Sequence, residues 1–293
     1  MLSKSTLLHL RFPFSFFLMP VFGFALVLPS CLVLSKALLI FFIWHLLVYP
    51  ASNGFNSYFD KDEESIGGLE KPPPVSKDLY FSSLFLDIIA LLLSLLVNIT
   101  FFVGILMYGL ASKAYSHPLV RLKKYAFLGL FTVGFFQGFF TIFVSVIGLT
   151  NDINFAFSDK VLFAGCLSSA LLLGSYPMTQ IYQHSEDSKR GDRTISILLG
   201  IRGTFLFTLL VFGMVGGGYF LFFWKYFDFL MANLFMISLL PSVIFFLNWF
   251  YISLKDEKNV NFKNTMRLNL YSALGMNIFF YGKVLIEYVA AFF

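Results

Sequence analysis

The chain has 293 residues, of which 58% are apolar, 20% aromatic and 13% charged, and its mean hydropathy is +0.80. A soluble domain carries about 25% charged residues, so a soluble enzyme, a disordered chain and a fibrous repeat are excluded and a polytopic membrane protein remains. The net charge of +5 sits in short loops between apolar runs, which is a topology signal and gives no reason to expect a nucleic-acid partner.

Nine apolar segments follow in chain order, at 13–30, 32–52, 79–97, 99–114, 126–149, 160–182, 203–223, 229–253 and 268–291. A spanning helix takes about 20 residues. The expected fold class is therefore an all-α integral membrane protein with nine transmembrane helices, residues 1–293 forming one domain. The third and fourth segments are joined by a tight turn near Asn98. Cys31 and Cys166 lie far apart inside apolar stretches, give neither metal spacing nor a disulfide framework, and are expected in the core. Gln137, at the depth of the fifth segment, is expected to line a cavity or to bond another helix.

Charge placement gives the orientation. Lys4 and Arg11 precede the first segment, and the remaining basic residues cluster after segments two, four, six and eight, so that 17 of the 21 Lys and Arg share one side. The positive-inside rule puts the N-terminus and these loops in the cytoplasm, and nine spans put the C-terminus outside, the expected location being the cell's inner membrane.

Acidic residues carry little topology information, so their clustering needs another cause. Nine of the 16 Asp and Glu fall in two of these cytoplasmic loops. In the first, Asn56, Asp60 and Glu64 are spaced four apart. If the second span continues as a helix they share one face, about 6 Å per step. Oxygen ligands in such a row suit a hard divalent cation, and Mg²⁺ is usually held by a few carboxylates together with substrate phosphates. Gly67-Gly68 would end that helix, Pro72 to Pro74 keep the next stretch extended, and Lys71 lies where it can fold back on the site. The second cluster follows the sixth segment. Gln183 and Asp187 are four apart, with Lys189, Arg190 and Arg193 beside them. Acids for a metal with bases for phosphate oxygens is the arrangement a diphosphate needs. After the fourth segment, Tyr115, Arg121 and Lys123 can bind the same anion.

These residues resemble the UbiA family of intramembrane prenyltransferases. That family shows an Asn-x-x-x-Asp-x-x-x-Asp motif after its second span and an Asp-x-x-x-Asp motif after its sixth. Asn56, Asp60 and Glu64 match the first, and Gln183 and Asp187 sit at the second. Lys71-Pro-Pro-Pro-Val-Ser76, Tyr115 to Lys123, and Gly191-Asp-Arg-Thr194 look like the segments that accompany the motifs. The likeness covers nearly the whole chain. It departs at Glu64 and Gln183, each standing for an Asp, and at Ser57, where several relatives carry an Asp.

The resemblance implies a bundle around a central cavity and two Mg²⁺ ions held by Asn56, Asp60, Glu64, Gln183 and Asp187. It implies a prenyl diphosphate bound through Asn56, Lys71, Tyr115, Arg121, Lys123, Lys189 and Arg193. Asp60, Asp187, Lys71 and Arg121 would carry the ionisation, and a lipophilic, aromatic acceptor would attack the allylic carbon. Two other functions fit less of the pattern. A terpene cyclase of the same family would capture the cation intramolecularly and need no acceptor. A transporter or assembly protein would be expected to break its helices at mid-membrane rather than gather charge at span ends on one face.

Overall fold

The computed structural model describes residues 3–290; residue 291, the expected end of the last apolar segment, lies outside them. Among the described residues the chain forms α1 (Lys4–Leu26), α2 (Leu34–Asp60), α4 (Ile99–Ser116), α5 (Ala126–Thr150), α6 (Asp159–Gln180), α7 (Ile195–Tyr226), α8 (Phe229–Lys255) and α9 (Phe262–Ala290), each long and apolar enough to cross a bilayer. The remaining long helix is α3 (Asp78–Ser94), 17 residues, at the third expected segment. Each helix packs on its neighbours in sequence, and α9 closes the ring on α1.

Aromatic packing seals the end of the ring away from the acidic loops. Phe24 of α1 lies 5.0 Å from Phe222 of α7 and stacks at 5.1 Å on Phe280 of α9, while Phe223 lies 4.9 Å from Phe235 of α8. All five rings are almost fully buried. Helices in lipid associate through such van der Waals contacts rather than through a hydrophobic force, so shape fit carries the closure.

Several of the helices depart from regular α geometry. In α5, Phe135–Phe140 forms a π-helical turn. The cause is Ser169 of α6, whose Oγ donates to Gly134 O at 2.7 Å and accepts from Phe139 N at 2.9 Å. A side chain inserted in the backbone ladder is a recognised source of such turns. Gly138 permits the approach, since a Cβ there would lie 2.5 Å from Ser169 N. In α1 the left-handed Arg11 (φ 48°) separates Lys4–Leu10 from a 3₁₀ turn over Phe12–Leu18. The first span therefore begins nine residues before the apolar run it was read from. The seventh begins at Ile195 rather than 203 and bends at Gly200, whose φ of 67° and ψ of 176° only glycine adopts without strain.

Three further expectations are corrected. The helix does not continue from Asp60 to Glu64. Lys61 turns left-handed (φ 52°), its N–H bonding Ser57 O at 3.0 Å, and α2 stops at Asp60. Gly67-Gly68 makes a tight turn against the Phe14 ring instead of capping a helix, with Ile66 and Leu69 exchanging two 2.9 Å bonds. Cys31 and Cys166 are exposed rather than buried in the core. In a membrane bundle an apolar stretch says that a residue avoids water, and the lipid face satisfies that as well as the interior does.

Candidate functional site

The open end of the ring is a cavity of about 290 Å³ that descends from a charged mouth to Tyr108, Phe136 and Gln137. Its mouth is assembled from four elements: the C-terminal end of α2, the loop after it, the loop after α4, and the short helix His184–Lys189 with the turn that follows.

Ending α2 at Asp60 has a geometric consequence. In a continuous helix Asp60 and Asp62 would point to nearly opposite sides, because positions two apart do not share a face. With the chain turned at Lys61, both line the cavity. Asp60 is 4% exposed, as is Asp62, which pairs with Arg190. Glu64, the third position of the expected row, stays outside. Its side chain is 51% exposed and lies 3.6 Å from the exposed Lys189.

Asn56 and Asp60 form the first polar group. The Asn56 amide oxygen accepts from Ser116 Oγ at 2.7 Å and from Lys123 Nζ at 2.9 Å. Lys123, buried, also pairs with Asp60 and stands 5.9 Å over the Tyr115 ring. The Tyr115 hydroxyl bonds that of Tyr176 on α6. Asp60 Oδ1 lies 3.4 Å from Arg121 Nη2, an ion-pair contact without a hydrogen bond, so the carboxylate stands between two cations.

The second group is built around Arg190. Its guanidinium pairs with Asp62, meets Asp187 Oδ1 at 2.7 Å and lies 3.5 Å from Asp192 Oδ2. Arg121 grips Asp192 with two bonds, at 3.1 and 2.9 Å. Gln183 lines the cavity, and its amide donates to Ser65 O at 3.0 Å, while Glu186 Oε1 accepts from the backbone N of Glu63 at 2.8 Å. The two acidic loops are thereby stitched together.

The electrostatics follow from burial. Burial pushes the Asp187 carboxyl up to about 6, against the pull of Arg190. Asp62 is raised by burial and by the charge of Asp60, again against Arg190. Burial alone would lower Arg190, but Asp62, Asp60 and Asp187 outweigh it and hold the guanidinium firmly protonated.

Of the residues singled out from sequence, the structure brings Asn56, Asp60, Tyr115, Lys123, Gln183 and Asp187 to one cavity, with Arg121 on its rim. It leaves Lys71, Lys189 and Arg193 exposed and outside the cavity lining, along with Glu64. The cavity adds Asp62 and Asp192, which the sequence offers as acids able to share the metal's load, Arg190, which it sets beside the second cluster as a base for phosphate, and Arg11, Tyr176 and Gln180, which it does not flag for the site. Arg11 is buried and fixed by Gly67 O at 3.0 Å and Asn53 O at 3.1 Å.

A metal ion can be tested against these donors. Among the described residues no three acidic, imidazole or thiol side chains stand together in ligand geometry, because basic side chains interleave with the carboxylates. The Asn56–Asp60 group nevertheless has oxygen donors of the type a hard cation takes, an amide oxygen and a carboxylate, which Lys123 holds in this structure. The donors present at α2 fit Mg²⁺.

A second cavity of about 500 Å³ lies between α1 and α6 to α9 and meets the first at Phe17, Leu172, Ser175 and Asn269. Its wall is mostly apolar and includes Gly213, Gly216 and Gly217, which leave room where side chains would fill it.

The model of the UbiA prenyltransferase family matches residues 17–271. Among solved structures, a UbiA homologue from Archaeoglobus fulgidus bound to DMAPP and Mg²⁺ is similar, with a TM-score of 0.67, 16% identity, and 94% of this chain and 98% of that chain covered. The same homologue bound to GPP and Mg²⁺ gives the same values. A digeranylgeranylglyceryl phosphate synthase gives a TM-score of 0.60 at 19% identity over 97% of this chain and 98% of that one. At these identities the likeness speaks to the fold. No curated protein sequence matches the chain.

Proposed function

The chain belongs to the UbiA prenyltransferase family, and from that premise we propose that it transfers an isoprenoid chain from a prenyl diphosphate, with Mg²⁺, to a lipophilic, aromatic acceptor and releases pyrophosphate. One observation carries the reading: a single cavity joins a mouth of four Asp and three basic side chains to an aromatic and apolar interior. That is the polarity profile of a prenyl diphosphate.

In this reading Lys123 and Arg190 face the diphosphate oxygens, Arg121 and Arg11 add positive charge at the rim, and Asn56 and Asp60 hold the metal. Asp187 and Gln183 shape the far side of the mouth. Bound Mg²⁺ would offset the negative charge that builds on the departing pyrophosphate. The cationic side chains act in the same sense, and their burial strengthens each contact. The allylic carbon then lies among Tyr108, Phe136 and Phe17, whose ring faces stabilise positive charge and exclude water. Leu172 and Ser175 lead the prenyl chain into the second cavity, and the acceptor enters from the bilayer. The closure of α9 on α1 supports reading residues 1–293 as one catalytic unit. The basic residues gathered at the mouth end support a cytoplasmic mouth and N-terminus, an outer C-terminus and residence in the cell's inner membrane.

The test is pyrophosphate release by the purified protein in detergent, with geranyl, farnesyl and geranylgeranyl diphosphate, with Mg²⁺ or EDTA, and with or without a lipid extract of the source cell. Release that needs both Mg²⁺ and the extract is expected, and the labelled product names the acceptor. Release without the extract would favour intramolecular capture of the cation, and no release with any donor would end the transferase reading.

A further inference from the structure

The second cavity continues the first. They share Phe17 of α1, Leu172 and Ser175 of α6 and Asn269 of α9. From that junction the second cavity runs along α7 from Leu209 to Tyr219, about 15 Å at 1.5 Å per residue. It ends on Tyr219 and Phe235, two buried rings stacked at 4.7 Å. The α7 wall is bare. Glycine suits a helix less than any residue but proline, yet α7 carries it at Gly213, Gly216, Gly217 and Gly218. Helix packing explains the last: a Cβ on Gly218 would stand 2.6 Å from Leu167 of α6. The other three line the cavity. A Cβ on Gly213 or Gly217 would meet no atom within 4 Å, and one on Gly216 would touch Met236 at an ordinary 3.7 Å. Among the described residues no neighbour requires glycine at these three positions, and what glycine leaves there is room.

We propose that Gly213, Gly216 and Gly217 set the length of the prenyl chain, and that the donor is the diphosphate of four isoprene units, geranylgeranyl diphosphate. Its last three units lie along the glycine wall, with the Tyr219–Phe235 stack as the stop. The length follows from bond geometry. One isoprene unit adds four main-chain carbons, roughly 5 Å when extended with carbon–carbon bonds of about 1.5 Å. Three units therefore span about 15 Å, the length of wall between Leu209 and Tyr219. The first unit stays at the reacting carbon, beside Phe17, which borders both cavities. A shorter chain leaves the floor of the cavity empty and forfeits its packing contacts. A longer one runs into the stacked rings. The inference rests on the transferase reading and names the donor within it.

The test compares initial rates of pyrophosphate release at limiting geranyl, farnesyl and geranylgeranyl diphosphate. It uses the full-length protein in detergent, with Mg²⁺ and the lipid extract as source of acceptor. The wild type should favour geranylgeranyl diphosphate. Gly213→Leu and Gly217→Leu each place a side chain in the space of the later units. Each should lower kcat/KM for geranylgeranyl diphosphate at least tenfold, since one methylene in an apolar pocket is already worth about 10- to 200-fold. Geranyl diphosphate should stay within about twofold of wild type. Gly109→Leu is the control: its Cβ also meets no atom within 4 Å, but it lies on α4 and lines neither cavity. It should leave the ratio among donors unchanged. A wild type that favours geranyl diphosphate, or Leu variants of α7 that keep the wild-type ratio among donors, would overturn the inference and leave the transferase reading intact. No release from the wild type with any donor would end both. If neither Leu variant folds, the wild-type order of donors decides.

Discussion

The loops after α2 and α6 carry the same kind of sequence, acids spaced four apart at the end of a span, yet they present opposite surfaces to the cavity. At the first, one carboxylate, Asp60, is shared by two cations, Lys123 and Arg121, beside the Asn56 amide. The second brings its own arginine, which takes up the carboxylates around it. Acid spacing therefore marks where charge gathers at the cavity mouth, but not which cations each acid meets there.

The largest effect is expected at Asp60. Asp60→Asn keeps the shape of the side chain and removes its charge beside Lys123 and Arg121. Turnover should fall about 10³-fold, the size seen when a preorganised electrostatic group is lost from an active site. The half-saturating Mg²⁺ concentration should rise with it. Steady-state assays over a Mg²⁺ series check both. A variant that kept its Mg²⁺ response would break the contrast between the loops.

Asp187→Asn should be milder. Asp62 and Asp192 remain on Arg190 when Asp187 is neutral. A lost charge-assisted hydrogen bond contributes about 1.5–3 kcal/mol, so a fall in kcat/KM of about ten- to a hundredfold is expected. The Mg²⁺ response should stay close to wild type. An equal loss of metal affinity at Asp60 and Asp187 would show that the two loops act alike.

Lys123→Met comes next, because it tests the first loop from its basic side. The variant keeps most of the buried stem and removes the charge from Asn56 and Asp60. The KM for prenyl diphosphate should rise about tenfold, the scale of one charged contact to phosphate. A change in kcat alone would place Lys123 away from the ground-state diphosphate.

The spans and the first loop were legible from the sequence because each depends on local pattern. Apolar runs marked all nine helices, and Asn56 and Asp60 fell on one face of a helix that exists. What stayed hidden depended on where the backbone bends. Asp62 reaches the cavity only because Lys61 turns left-handed, a conformation uncommon for a non-glycine residue that nothing in the spacing announces. Arg11 looked like a topology charge before the first span, but a second left-handed residue folds it into the cavity wall. Tyr176 and Gln180 sit two turns and one turn before Gln183, on an apolar helix. Their polarity was visible, and their inward face was not.

The smallest effect is expected where the sequence pattern was strongest and the geometry is weakest. Glu64 completes the four-spaced row, yet its side chain is 51% exposed and its partner Lys189 is 70% exposed at 3.6 Å. Exposed pairs of this kind contribute about 0–1 kcal/mol and are screened by salt. Glu64→Ala, Lys189→Ala and the double variant should each keep kcat/KM within about twofold of wild type, with melting shifts no larger than ordinary surface changes give, about 0.5 kcal/mol. Lys71→Ala should behave alike, since Lys71 is exposed and lines neither cavity. Assays at low and high salt separate a screened surface contact from a ligand. A loss of tenfold or more in Glu64→Ala, with a raised Mg²⁺ requirement, would mean that the loop closes over bound diphosphate and brings the third acid in. The first loop would then be a two-position device, and the contrast with the second would be one of motion as well as charge.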